Sequence, residues 1–204
     1  WTEADVLFAG ALASQEANQD PIDLAFLAAA KERRILDGSP AVTPISFSPF
    51  DAKNRRTEAV VVVKGQRLHV MKGAVRSVAQ ACGLQPPAIE ALEARVNESA
   101  LKGYRTLAVG RGPDPGTPEL AGVVTLYDPP RPDAKQLIDE LRGLGVSVKM
   151  LTGDALPVAL EIAKVVGLTG IRRVADLKAE GAKAGNETVD LLAGAGGFAE
   201  VYPE

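Results

Sequence analysis

The stretch that decides the fold is Ser147 to Leu168, SVKMLTGDALPVALEIAKVVGL. Val146, Val148, Met150 and Leu151 read as a short buried strand. The chain turns on Thr152-Gly153-Asp154 and enters a run with helical periodicity. A hydroxyl, a glycine and a carboxylate therefore stand where a strand gives way to a helix. In an open α/β sheet, ligands bind at that point, because strand ends face the crevice and helix amides point into it. The alternative for the tripeptide alone is a turn with an Asp or Thr helix cap.

Working outward, the flanking segments repeat the alternation. LAGVVTLYDPP (Leu120–Pro130) reads as a strand, PDAKQLIDELRGLG (Pro132–Gly145) as a helix, VSVKML as a strand and ALPVALEIAKVVG as a helix. IRRVAD and GFAEVY read as further short strands, with a helix near NETVDLLAGA and a mobile loop at AEGAKAGNE. Apolar strands alternating with helices imply a parallel sheet built from crossovers. Asp128, in YDPPRPD, then falls at the end of one strand and Asp154 at the end of the next, with Arg131 nearby. Paired acids on one rim suit a divalent cation and phosphoryl chemistry; helix capping by both is the bland alternative.

The preceding half has a different grammar. Thr2 and Asp20 open two helices, the second with Pro21 at its first position. RTEAVVVV and QRLHVMK flank Lys64-Gly65 as a hairpin. Gly83 and Gly103 close two more helices, and YRTLAVGR is another strand. This is a set of helices on a largely antiparallel sheet. GRGPDPGTPE (Gly110–Glu119) reads as a loop or interdomain hinge. The fold class is thus α/β: an α+β half with a largely antiparallel sheet, then a parallel α/β half.

Composition narrows the function. The 204 residues are 46% hydrophobic and 24% charged, with net charge −3, an ordinary globular balance. Net acidity argues against a general nucleic-acid surface. No apolar run approaches the roughly 18 residues of a membrane span. The single cysteine, Cys82, excludes an internal disulfide. His69, on a strand, reads as solvent-facing. Zinc spacings, a Walker loop and G-x-S-x-G are all missing from the sequence. Phe50, between Pro49 and a cluster of charges, is placed to stack on a purine, and Lys72 leaves a strand beside the same region; a core aromatic and a solvated lysine are the alternatives.

Six motifs in order then resemble the P-type ion-translocating ATPases. They are DPIDLA (Asp20–Ala25), FSPFDAKNRRTEA (Phe47–Ala59), MKGA (Met71–Ala74), GYRTLAVG (Gly103–Gly110), DPPR (Asp128–Arg131) and KMLTGD (Lys149–Asp154). The wording is most similar to the plasma-membrane proton pumps. The resemblance implies a nucleotide-binding domain over residues 1–122, followed over 123–204 by an incomplete, Rossmann-like phosphorylation domain of haloacid-dehalogenase type. It implies ATP or ADP at Asp23, Phe50, Arg55, Lys72, Gly73 and Arg105, with Asp128 and Arg131 near ribose and phosphates. Arg55 stands where the family commonly has lysine, and Asp23 where many pumps have Glu. Thr152, Gly153 and Asp154 would support the transferred phosphoryl group. Mg2+ would be held mostly by residues outside this sequence.

D-K-T-G-T and G-D-G-x-N-D-x-P do not occur in the 204 residues. The expectation is therefore a cytoplasmic-face fragment that binds ATP without turning it over. Its partners would be the remaining phosphorylation, actuator and transmembrane domains, and open sheet edges invite self-association. A free-standing nucleotide-binding regulatory module and a haloacid-dehalogenase-type phosphatase are the competing readings.

Overall fold

The computed structural model describes residues 1–37, 41–179 and 194–201. The helix near NETVDLLAGA and the loop AEGAKAGNE lie, apart from their ends, outside the described residues. The chain forms two compact units, Trp1–Arg95 with Thr106–Thr125, and Val96–Arg105 with Leu126–Glu204.

The first unit starts with α1 (Glu3–Leu12) and α2 (Pro21–Glu32). Thr2 and Asp5 form a reciprocal capping box on α1, satisfying amide groups that the first turn leaves without partners. Asp20 caps α2 through Oδ1, which accepts from the amides of Ile22 (2.9 Å) and Asp23 (3.1 Å). Five strands follow in sheet order: β1 (Val42–Asp51), β2 (Arg56–Val63), β3 (Gln66–Gly73), β4 (Arg105–Pro113) and β5 (Glu119–Leu126). The first three pairings are antiparallel. Lys64 and Gly65 both take positive φ (53° and 76°), the backbone that a two-residue hairpin turn requires. Helices α3 (Val75–Ala81) and α4 (Pro86–Ala100) are inserted between β3 and β4.

Strand β2 shows why the sheet holds. Thr57, Ala59, Val61 and Val63 are buried while the alternate residues are half-exposed. Each such valine stabilises the fold by roughly 1.5–3 kcal/mol relative to an exposed one. Val70 and Lys72 are buried on one face of β3, which packs on α1, and Lys72 meets Asp23 and Phe26 of α2. On the opposite face, Met71 and Gly110 meet Cys82 beside α3; a Cβ on Gly110 would lie 2.8 Å from the Cys82 sulfur.

Two expectations change here. Gly110 to Pro113 continue β4, and β5 begins at Glu119, so this segment is not an interdomain hinge. Its glycines serve close packing: a Cβ on Gly112 would lie 2.6 Å from the Pro118 Cα. LAGVVTL, moreover, joins the five-stranded sheet rather than the parallel one.

The second unit contains α5 (Ala134–Gly143), β6 (Met150–Leu151), α6 (Leu156–Val165), β7 (Ile171–Arg173), α7 (Val174–Ala179) and β8 (Gly197–Ala199). Its sheet is parallel, in the order β6-β8-β7, with Gly197 in register with both Met150 and Ile171. Ala159, Ala163, Val166, Leu168, Ile171 and Ala199 form its core, with Ala134 and Ile138 of α5 packed on them. Among the described residues no helix is long and apolar enough to cross a membrane.

Candidate functional site

In the first unit, the cap at Asp20 sets the first turn of α2 so that Asp23 faces inward. Its Oδ1 receives the Lys72 ammonium, and its Oδ2 accepts from the Gln15 amide at 2.8 Å. Lys72 Nζ also donates to the Ala13 carbonyl at 2.8 Å and lies 5.7 Å from the Phe26 ring centroid. The Lys72 and Asp23 side chains are only 2% and 6% exposed. Burial pulls the Lys72 ammonium below its ordinary pKa, while the hydrogen bond and charge of Asp23 push back without cancelling the effect. Lys72 is therefore not a solvated lysine at a strand end. It joins β3 to the end of α1 and the start of α2.

Phe50 is 56% exposed, which disposes of a core role. It lies where the β1–β2 register shifts, between Ser48 and Asp51. The adjoining turn is built by Asp51. Its Oδ1 accepts from the Lys53 amide and its Oδ2 from the Asn54 amide, both at 3.1 Å, and its carbonyl accepts from the Arg55 amide at 2.6 Å. Arg55 has φ +53°, and its carbonyl accepts from the Ala74 amide at 2.9 Å. Gly73 makes that approach feasible, since a Cβ there would lie 2.6 Å from the Arg56 Cα. Ser77 Oγ donates to the Asn54 carbonyl from α3.

In the second unit, Thr152 continues β6, donating its amide to the Phe198 carbonyl at 3.0 Å. Its Oγ1 donates to Asp154 Oδ2 (2.9 Å) and accepts from the Asp154 amide (3.1 Å). Arg105 Nε donates to Asp154 Oδ1 at 2.6 Å. Gly153 is exposed. Asp154 does not cap the following helix: the N-cap of α6 is Ala155, and Glu200 Oε1 accepts from the Leu156 amide at 3.3 Å. The capping alternative is thereby set aside. Asp154 instead holds a hydroxyl and a guanidinium at the strand end.

Asp128 is exposed and makes no hydrogen bond or ion pair among the described residues; Arg131 pairs with Asp133 at 3.2 Å. Because β5 and β6 belong to different sheets, Asp128 and Asp154 do not end neighbouring strands. The structure thus joins Asp23 to Lys72, sets Phe50 beside the turn that carries Arg55, and joins Arg105 to Asp154. It assigns Arg105 to the second unit and Asp23, Phe50, Arg55 and Lys72 to the first.

The sequence reading missed a cluster on β2 and β3. Glu58 accepts from Arg56 Nε at 2.6 Å and lies 2.7 Å from His69 Nε2. His69 is therefore not solvent-facing; its side chain is 21% exposed. The hairpin register held the signal, because Glu58 pairs with Met71 and so lies diagonal to His69. Holding Glu58 charged falls to its two partners. Burial acts to raise its pKa, but the hydrogen bonds from Arg56 and His69 outweigh it and lower the value. Among the described residues no group of three or more His, Cys, Asp or Glu could hold a metal ion.

Comparison with known proteins agrees with the motifs. The family profile described as haloacid dehalogenase-like hydrolase matches residues 2–187. The putative cation-transporting ATPase MJ1226 of Methanocaldococcus jannaschii is 35% identical over 208 residues, covering 100% of this chain and 26% of the relative. Plasma membrane ATPase 1 of Saccharomyces cerevisiae is 35% identical over 211 residues, covering 98% and 23%. Plasma membrane ATPase 2 of Schizosaccharomyces pombe is 36% identical, covering 98% and 21%. The chain spans about a quarter of the length of these relatives. Profile, motif order and mixed architecture converge: the chain belongs to the haloacid dehalogenase-like hydrolases, and within them it is similar to one segment of the P-type cation-transporting ATPases.

Proposed function

We propose that this chain is the ATP-binding portion of a P-type ATPase that couples ATP hydrolysis, through an aspartyl phosphate, to cation transport. The cation is a proton by likeness to the plasma membrane ATPases. The observation that carries the reading is Phe50, a large aromatic left 56% exposed beside a cationic turn held by hydrogen bonds with Asp51, Ala74 and Ser77. A solvent-facing ring of this kind suits stacking on adenine. Arg55 follows on the same turn, Gly73 lets β3 close against it, and Lys72, held by Asp23, precedes Gly73 on β3. Thr152, Gly153 and Asp154 would support the transferred phosphoryl group, Arg105 would contact the phosphates, and Asp128 and Arg131 would lie near ribose and phosphates. Mg2+ would arrive as the counter-ion of the nucleotide phosphates. The remaining phosphorylation, actuator and transmembrane domains of the parent pump are the proposed partners, and the cytoplasmic face of a membrane is the proposed location.

The test is calorimetric titration of ATP, ADP and adenosine. Phe50→Ala should weaken all three by roughly 1–3 kcal/mol, the usual contribution of base stacking. Unchanged affinities in Phe50→Ala would overturn the reading. Radiolabelled ATP should leave no acid-stable phosphoenzyme on these 204 residues, because they contain no D-K-T-G-T nucleophile. An aspartyl phosphate mapped within them would favour the phosphatase alternative.

A further inference from the structure

We infer that Lys53 is a specificity residue of the nucleotide site, reading the number of phosphates on the ligand; this rests on the nucleotide-binding role proposed above. The β1–β2 turn carries four charged side chains, Asp51, Lys53, Arg55 and Arg56. The only acid, Asp51, turns both carboxylate oxygens onto the amides of Lys53 and Asn54. Arg56 is engaged with Glu58 and Ser77. Lys53 is exposed and has no ion-pair partner among the described residues. Among the described residues the Lys53 ammonium therefore has no carboxylate partner.

Solvent-facing turns are commonly loose, but this one is held from three sides. Asp51 ties its amides from within, the Ala74 amide donates to the Arg55 carbonyl, and Ser77 Oγ donates to the Asn54 carbonyl. A Cβ on Gly73 would collide with the strand carrying Arg55 and Arg56. The backbone bearing Lys53 is thus fixed three positions from the exposed Phe50 ring. A flat apolar surface three positions from an exposed ammonium with no carboxylate partner suits a ligand with an aromatic base and an anionic tail. Phe50 takes the base irrespective of the tail. Lys53 responds to the tail alone, as a compact point charge rather than a bidentate fork.

The experiment separates the two residues. Titrations with ATP, ADP and adenosine are run on the full chain, on Phe50→Ala, and on Lys53→Ala and Lys53→Glu. Phe50→Ala should weaken ATP and adenosine alike. Lys53→Ala should weaken ATP by roughly two- to five-fold, the range of an exposed ion pair, ADP by less, and adenosine not at all. Lys53→Glu should enlarge the ATP effect, and added salt should shrink it. If Phe50→Ala acts as expected while both Lys53 variants keep the wild-type ratio of ATP to adenosine affinity, the Lys53 inference is overturned and the site stands. If Phe50→Ala changes nothing, the site and the inference fall together.

Discussion

Replacing Lys72 by methionine isolates the interaction on which the first unit turns. The Lys72 and Asp23 side chains are 2% and 6% exposed, so solvent screening does little for either charge. In Lys72→Met, Asp23 keeps the Gln15 amide but loses its counter-charge, and the Ala13 carbonyl loses its donor. Contact of the ammonium with the Phe26 face also goes. Removing one partner of a buried pair costs about 3–5 kcal/mol, and the stranded carbonyl sits within that figure. Methionine is close to lysine in length, so cavity formation adds little. The pair itself, however, stabilises the fold far less than this number suggests, because the single change leaves an unpaired charge behind. Lys72→Met with Asp23→Asn removes both charges and keeps an acceptor for Gln15. This double variant should lie within about 1–2 kcal/mol of the wild type. Urea unfolding followed by circular dichroism gives the values, and hydrogen exchange at the Val70 and Met71 amides assigns them to the first unit. A single-variant loss below about 1 kcal/mol would refute the reasoning, as would a double variant no more stable than the single one.

Two further outcomes follow from titratable groups. Glu58 has a folded-state pKa below its ordinary value of 4.5, so its contribution is fully present above that pH and is lost as pH falls through the lower folded value. Glu58→Gln should accordingly flatten the fall of the urea midpoint below pH 4.5, and an unchanged acid limb would show that the cluster with Arg56 and His69 is energetically idle. Burial pushes the Cys82 thiol from 9.0 up to about 11; an aromatic disulfide reagent at pH 8 should therefore label it only as fast as the protein opens, and labelling as fast as that of a free thiol would contradict its packing against Gly110.

Signals that act over a few residues were readable before the structure, because their cause lies within those residues. Asp20-Pro21 opens α2 since proline has no amide to satisfy there and aspartate caps the next ones. Lys64-Gly65 turns the hairpin because glycine tolerates positive φ. Gly83 and Gly103, at φ 75° and 80°, end helices for the same reason. Glycine was misread only where its value was the missing Cβ rather than the free backbone. Gly110 and Gly112 looked like punctuation, yet they let Cys82 and Pro118 approach β4. Nothing local distinguishes those two uses, since the neighbour that needs the space comes from elsewhere in the chain. The same limit explains β5: its apolar pattern marks a strand, but the sheet that receives it is decided by edges the pattern does not contain.

The candidate site divides along the same line. Resemblance picked out Asp23, Lys72, Arg105 and Asp154 as separate motif members, while the structure shows that they act in pairs, each closed over 49 positions. One of those pairings had a legible half. Val70 and Lys72 are two apart on β3, so a lysine there shares the face of a fully buried valine and must find a carboxylate inside the fold. Which carboxylate it meets depends on where the cap at Asp20 aims the first turn of α2. Arg105 and Asp154 offered no such half: Arg105 opens β4, where Leu107 to Gly110 are buried on both faces, and Asp154 lies past the end of β6. Thr152 and Gly153 add the reason that a strand end is used: the amide of Thr152 is held by the Phe198 carbonyl, so its hydroxyl is set by the sheet rather than by a loop. The motif's carboxylate therefore depends on the sheet through Thr152 and on the strand start at Arg105, and loosening either would move Asp154 without touching it.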